Sequence, residues 1–268
     1  MDTANINPKD VMALRQRTGL GMMDCKKALT DANGDMDAAE ALLRERMKGK
    51  MDSRTDRPAG EGCIEILIDG GKASIIEVRA ETDFTARNDD FVAMASDLAK
   101  MTLGQAAGDV SADSAMTARL DEVRLTTGEN ISFARGVRLD GAAFGQYVHH
   151  DRKLGVLLQV EGDFPADVLT GICQHVAAHV PTPLAVDETG LDAGVVAEKR
   201  KEAEAEAAAS GKPPEIATKI AEGKVRKFFE DNTLLGQKWV RDESKSVGSL
   251  VPKGSKIVTF IRMAVGGA

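Results

Sequence analysis

Cys63-Ile64-Glu65-Ile66-Leu67-Ile68-Asp69-Gly70-Gly71-Lys72-Ala73-Ser74-Ile75-Ile76-Glu77-Val78 is the stretch whose reading sets the fold class. Residues 63–68 and 73–78 are rich in Ile and Val, and Asp69-Gly70-Gly71 interrupts them. Asp-Gly supplies the positive φ that tight hairpin turns need, so the stretch predicts a β-hairpin. A helix over about 89–101 follows. After a variable stretch come another helix near 116–125 and a strand around 131–139. The pattern then recurs: residues 144–149, the turn His150-Asp151-Arg152-Lys153, residues 154–160, and a helix over 166–180. Asp83-Phe84 stands between hairpin and helix in the first copy, Asp163-Phe164 in the second. The reading is a diverged duplication. Two subdomains, each a small antiparallel sheet with helices, make the class α+β.

Upstream, residues 7–50 read as three short helices. Asn7-Pro8 suits a helix start, Thr18-Gly19-Leu20-Gly21 ends the first helix, and Asn33-Gly34-Asp35 is a turn with a cap. Forty residues or so make a binding module too small to enclose an active site. Downstream, residues 195–209 are rich in Ala, Glu and Lys, Ser210-Gly211-Lys212-Pro213-Pro214 breaks them, and a second helix starts at Pro214-Glu215. This predicts a protruding helical hairpin, read either as a solvated surface element or as a contact or dimerisation arm. The expected division is 1–50 for the three-helix domain, 51–61 for a linker and 62–140 for the first core subdomain. The second core subdomain takes 141–187 and 232–268, around the hairpin at 188–231.

Composition narrows the function classes. The 268 residues carry 35 Lys and Arg against 42 Asp and Glu, a net charge of −7. With no basic cluster, a grip on a phosphate backbone is not expected. Three well-separated cysteines, Cys25, Cys63 and Cys173, fit reduced thiols rather than a disulfide framework. Met1-Asp2-Thr3-Ala4-Asn5 shows no signal-peptide pattern and no run reaches membrane-spanning length, so the expected location is the cytoplasm with no membrane partner.

Familiar chemistries fail one by one. There is no P-loop pattern. Asp31-Ala32-Asn33-Gly34-Asp35 opens like a calcium loop, but Met36 and Leu42 stand where Gly and Glu are needed. His175 and His179 sit one helical turn apart without an intervening Glu or a third ligand for zinc. No nucleophile elbow is present. The expectation is a protein that is not an enzyme and needs no metal or cofactor.

The informative segment is Glu81-Thr82-Asp83-Phe84-Thr85-Ala86-Arg87-Asn88-Asp89-Asp90-Phe91. Two readings are open. Asp83 caps a turn and Phe84 folds back onto the sheet, which composition favours. Or Phe84 is an exposed aromatic wedge flanked by charge, as in an interface hot spot. Met22-Met23 pose the same choice between core and an adaptable binding surface.

The chain resembles the bacterial elongation factor Ts family. Three stretches carry the likeness. The first runs from Leu14-Arg15-Gln16-Arg17-Thr18-Gly19-Leu20-Gly21-Met22-Met23 to Leu29. The second is Glu81-Thr82-Asp83-Phe84-Thr85-Ala86-Arg87-Asn88. The third runs from Ser210-Gly211-Lys212-Pro213 through Leu235-Gly236-Gln237 to Ser246-Val247-Gly248. The resemblance implies a ubiquitin-associated-like (UBA-like) three-helix N-domain, a two-subdomain core and a coiled-coil hairpin. It implies elongation factor Tu, a GTPase, as partner and promotion of GDP release as the task. It maps the intruding pair onto Asp83 and Phe84, with Thr82 beside them. Contacts to the GTPase domain map onto Arg15, Met22 and Met23, and further contacts onto Gly128 and His149. Thr85 departs from the usual Val. The chain also stops at Ala268, soon after a strand expected over 257–263 that finishes the second sheet, so a C-terminal helical module found in some members is expected to be missing and affinity lower. A homodimer through the hairpin or the core stays open. So does a plain binding or chaperone-like module, and, behind both, an enzyme assembled from distant residues.

Overall fold

The computed structural model describes residues 6–52, 54 and 56–267; residues 1–5 and two positions of the expected linker, 53 and 55, lie outside the described residues. The described residues form two compact units: those within 1–65, 76–137 and 264–268 make the first, residues 66–75 and 138–263 the second.

The first unit begins with α1 (Pro8–Thr18), α2 (Met22–Asp31) and α3 (Met36–Asp52). Their starts follow from local chemistry. The Asn7 side chain accepts from the Lys9 N–H at 3.0 Å, and Asp35 accepts from the Ala38 N–H at 2.9 Å, each meeting a donor the helix leaves free. Val11 and Leu14 of α1, Cys25 and Leu29 of α2 and Leu43 of α3 close a small core. Helix α3 runs on to Asp52.

Strands β1 (Glu61–Asp69) and β2 (Lys72–Ala80) form the expected hairpin, with Gly70 at φ +58° in its two-residue turn. Then come α4 (Asp83–Ala86), α5 (Asp89–Leu103), β3 (Gly108–Val110), α6 (Ser114–Thr127) and β4 (Ser132–Asp140). The sheet order is β1-β2-β4-β3. Strand β3 lies in the variable stretch, for which the sequence predicts no element, where three residues are too few to show an alternation. Residues 73–78 of β2 are all buried, as expected of a central strand covered on both faces. Glu77 falls within that run at 2% exposure. Its carboxylate takes Arg135 at 2.7 Å and Arg79 at 3.3 Å, and accepts from the Gly266 N–H at 2.9 Å. A carboxylate so placed needs those donors to offset its lost hydration.

The second unit repeats the hairpin-then-helix order with β5 (Ala143–Val148), β6 (Leu154–Glu161) and α7 (Ala166–Ala178). Ala143 pairs with Val160 and Val148 with Gly155, antiparallel, and β9 (Lys256–Ala264) completes the order β5-β6-β9. Val156, Leu158 and Val160 meet Ile172 and Val176 of α7 in its core. Helices α8 (Ala193–Ala209) and α9 (Pro214–Asn232) pair through Ala203, Ala207 and Ala221. A short ribbon, β7 (Lys238–Trp239) with β8 (Asp242–Ser246), precedes β9 and carries no apolar alternation that would have announced it. With its helices and small sheets the protein is α+β, as the sequence implied.

Candidate functional site

The candidate site is built around the one-turn helix α4. Its N-cap is Thr82, whose side chain accepts from the Thr85 N–H at 3.3 Å. Asp83 is therefore the first helical residue rather than the cap, and its carboxylate lies 3.4 Å from Arg87, exposed on both sides and worth little energetically. Rotation of about 100° per residue turns Thr85 and Ala86 inward, where both are buried. Phe84 points the other way and is 85% exposed. The reading in which Phe84 folds back onto the sheet is thus overturned. Phe164, of the Asp-Phe pair that follows the second hairpin, behaves differently: it packs against the core of the second unit.

What holds α4 comes from the far end of α6. Gly128 caps that helix at φ +70°, donating to the Arg124 carbonyl at 2.8 Å. Its role in the fold is conformational, because a side chain there would be strained and would stand 3.2 Å from Arg54, which donates to the Gly128 carbonyl. The next residue, Glu129, grips Thr82 twice: the Thr82 N–H donates to Oε2 at 3.1 Å and its hydroxyl to Oε1 at 2.7 Å. Asn130 donates from its N–H to Glu81 at 2.7 Å and from its side chain to the Arg57 carbonyl at 2.8 Å. Glu129, Asn130, Arg54 and Arg57 escaped the sequence reading, and Glu81 entered it only as the first residue of the quoted segment. The one signal available was the turn-like Gly128-Glu129-Asn130 after a helix, which names a loop but not its partners.

The same end of α6 abuts the three-helix module. A β-carbon at Gly19, in the α1–α2 turn, would lie 3.2 Å from Thr126 Cγ2. That turn launches α2 from Gly21 with Met22 44% and Met23 75% exposed, so neither is core. Arg15 is exposed on α1, and the exposed Met12 precedes it by about one turn. Among the described residues of the first unit, the large apolar side chains left in solvent are Met12, Met22, Met23 and Phe84. The structure thus brings Met22, Met23, Thr82 and Phe84 onto segments that share α6's C-terminal end as a support. His149 belongs to the second unit, at the β5–β6 turn, where its Nδ1 is 2.8 Å from the Tyr147 hydroxyl and its ring lies against His150.

Other reactive groups are absorbed by the fold. Cys25, Cys63 and Cys173 are buried, and burial pushes the Cys173 thiol up to about 12. His175 is buried, accepting from the Val240 N–H at Nδ1 and meeting Gln237 Oε1 at Nε2, 2.9 Å away. Desolvation holds its pKa below the ordinary histidine value, opposed by Gln237 and aided by His179. Among the described residues no cluster of three His, Cys, Asp or Glu could hold a metal, and no helix is long and apolar enough to cross a membrane.

Comparison with known proteins covers this site and most of the chain. The family model described as Elongation factor TS matches residues 81–267. An elongation factor Ts of Methylococcus capsulatus is 40% identical across 96% of this chain and 90% of its own length. One of Thiobacillus denitrificans is 40% identical across 98% and 93%. One of Zymomonas mobilis is 36% identical across 98% and 93%.

Proposed function

The chain belongs to the elongation factor Ts family, and from that premise we propose that it binds elongation factor Tu carrying GDP and drives the nucleotide out, making and breaking no covalent bonds. The observation that carries the proposal is Phe84, 85% exposed on a helical turn whose base is hydrogen-bonded in place. An aromatic ring of that size gains roughly 1.5–3 kcal/mol when a partner buries it. Exposure in the free protein is otherwise unrewarded.

In this reading Asp83 and Phe84 intrude beside the partner's nucleotide and magnesium site, while Arg15, Met22 and Met23 dock the three-helix module on the GTPase domain. Disturbing the magnesium ligands removes a main attraction for the GDP phosphates. Methionine's flexible thioether suits a docking surface that must adapt to the partner's nucleotide state. Gly128 and His149 offer further contacts. Linkage makes the effect reciprocal: if this protein weakens GDP by some factor, GDP weakens this protein by the same factor. Exchange then runs through a transient ternary complex. The task belongs to translation elongation, in the cytoplasm.

The test is the rate at which elongation factor Tu releases a fluorescent GDP, with and without this protein. Release accelerated by the native chain and slowed by Phe84→Ala supports exchange by a wedge. Acceleration that survives Phe84→Ala keeps exchange and removes the wedge. No acceleration at micromolar concentration leaves a passive binding module.

A further inference from the structure

We propose that Glu129 is a positioning residue for the wedge: its carboxylate, gripping Thr82 at two points, fixes the direction in which α4 presents Phe84. The inference rests on the exchange reading above and assigns a role to a residue that reading does not use.

Little else holds α4. The helix is four residues long, too short to be stable alone, since a single turn fixes many dihedrals for few hydrogen bonds. Its internal bonds, Ala86 N–H to the Thr82 carbonyl and Arg87 N–H to the Asp83 carbonyl, are both 3.1 Å, and neither reaches beyond the segment itself. The Asp83–Arg87 pair is exposed. Phe84 faces solvent and anchors nothing. Two things tie the turn to the body: the buried faces of Thr85 and Ala86, and Glu129.

Glu129 does more than add two hydrogen bonds. Thr82 is the N-cap, so its φ and ψ set the axis along which α4 leaves the strand. One carboxylate oxygen takes the Thr82 backbone N–H and the other its hydroxyl, while the hydroxyl oxygen accepts from the Thr85 N–H. Backbone and side chain of the cap are thereby held together, and the hydroxyl proton is committed to Glu129, leaving the oxygen's lone pairs for the helix. The grip reaches across 47 residues of sequence. Its own base is firm: Asn130, the next residue, is buried and bonded to Glu81 and Arg57, and Gly128 on the other side ends α6. The support that abuts Gly19 of the three-helix module thus also aims the wedge.

The experiment is a double-variant cycle on the full chain, measuring the maximal rate of GDP release from elongation factor Tu and the concentration giving half that rate. Hydrogen exchange is followed in the amides of residues 82–88 of the free protein. Glu129→Ala is expected to cut the maximal rate about tenfold, the scale of a lost hydrogen bond to a charged group. The half-saturating concentration should change less than twofold, because Arg15, Met22 and Met23 are untouched. Amides of α4 should exchange faster. In a Phe84→Ala background, Glu129→Ala should cost clearly less than it does alone, since Phe84 is gone and only Asp83 is left for α4 to aim. Losses that multiply in the double variant, or an unchanged rate with Glu129→Ala alone, overturn the proposal. If Phe84→Ala is itself silent, the wedge has failed, and exchange in α4 then decides alone: faster supports Glu129 as the holder of α4, unchanged refutes it. Should Glu129→Ala unfold the first unit, Glu129→Gln carries the same test. It keeps an acceptor for the Thr82 hydroxyl but turns an NH₂ group toward the Thr82 N–H.

Discussion

Replacing Phe84 with Ala separates what the ring does for a partner from what it does for the fold. At 85% exposure it contributes almost nothing to the free protein's core, so Phe84→Ala should change unfolding free energy by no more than about 0.5 kcal/mol. Binding is another matter. A phenylalanine ring driven from water into a dry site gains roughly 1.5–3 kcal/mol, which corresponds to roughly 10- to 150-fold in whichever state buries it. If that state is the one from which GDP leaves, the loss falls on the maximal release rate. If the ring is buried equally before and after, it falls on affinity. Stopped-flow release of fluorescent GDP across a concentration series distinguishes these, with denaturant unfolding run alongside. Phe164 provides an internal control. Phe164 packs on the second unit's core, so Phe164→Ala should cost roughly 1–3 kcal/mol of stability, less than a fully buried ring. It should leave the release rate of the folded protein intact. A Phe84→Ala protein that is markedly less stable, or one that speeds GDP release from elongation factor Tu as well as the native chain at every concentration, would overturn this assignment.

Other consequences follow from buried groups. Because His175 holds its pKa below the unfolded value near ~6.5, the unfolded chain takes up a proton that the folded chain refuses. Stability is thus full above that pH and declines as pH falls through it, and the melting temperature of His175→Gln should fall less than that of the native chain between pH 7.5 and pH 5.5 (both values roughly chosen to bracket the histidine range). The three cysteines are buried, and Cys173 is pushed up to about 12, so a thiol reagent should label the native protein slowly and the denatured protein at all three positions. Glu77→Gln removes the charge that Arg79 and Arg135 share; a loss of roughly 1.5–3 kcal/mol in urea unfolding is expected. Leu14→Ala, at a fully buried position of the three-helix core, should cost about 2–5 kcal/mol.

The elements that depend on near neighbours could be read from the chain. Asn7 and Asp35 cap helices within three residues, Gly70 turns a hairpin across two, and the apolar runs of β2 and β6 alternate or persist over a single strand. What depended on distant partners could not. Whether Phe84 turns in or out is decided by Thr82 taking the cap in place of Asp83, and by Glu129, 47 residues away, holding Thr82. The sequence could rule out zinc at His175 and His179 but could not name His175's partner, Gln237, which is 62 residues on. Met22 and Met23 have the composition of a core and the exposure of a surface, a distinction that periodicity over one helical turn cannot draw. Strands as short as β3 and β7 are held by their neighbours rather than by their own pattern.

The hydrogen bond from Gly266 to Glu77 joins residues 189 apart in sequence. During synthesis Glu77, Arg79 and Arg135 leave the ribosome long before Gly266 does, and Glu77 waits for this backbone donor while residues 138–263 of the second unit are made. Such late, distant closures slow folding, because the entropy of bringing the ends together is spent before the contact forms. A buried carboxylate that must wait this long is a natural stopping point for an incompletely made chain.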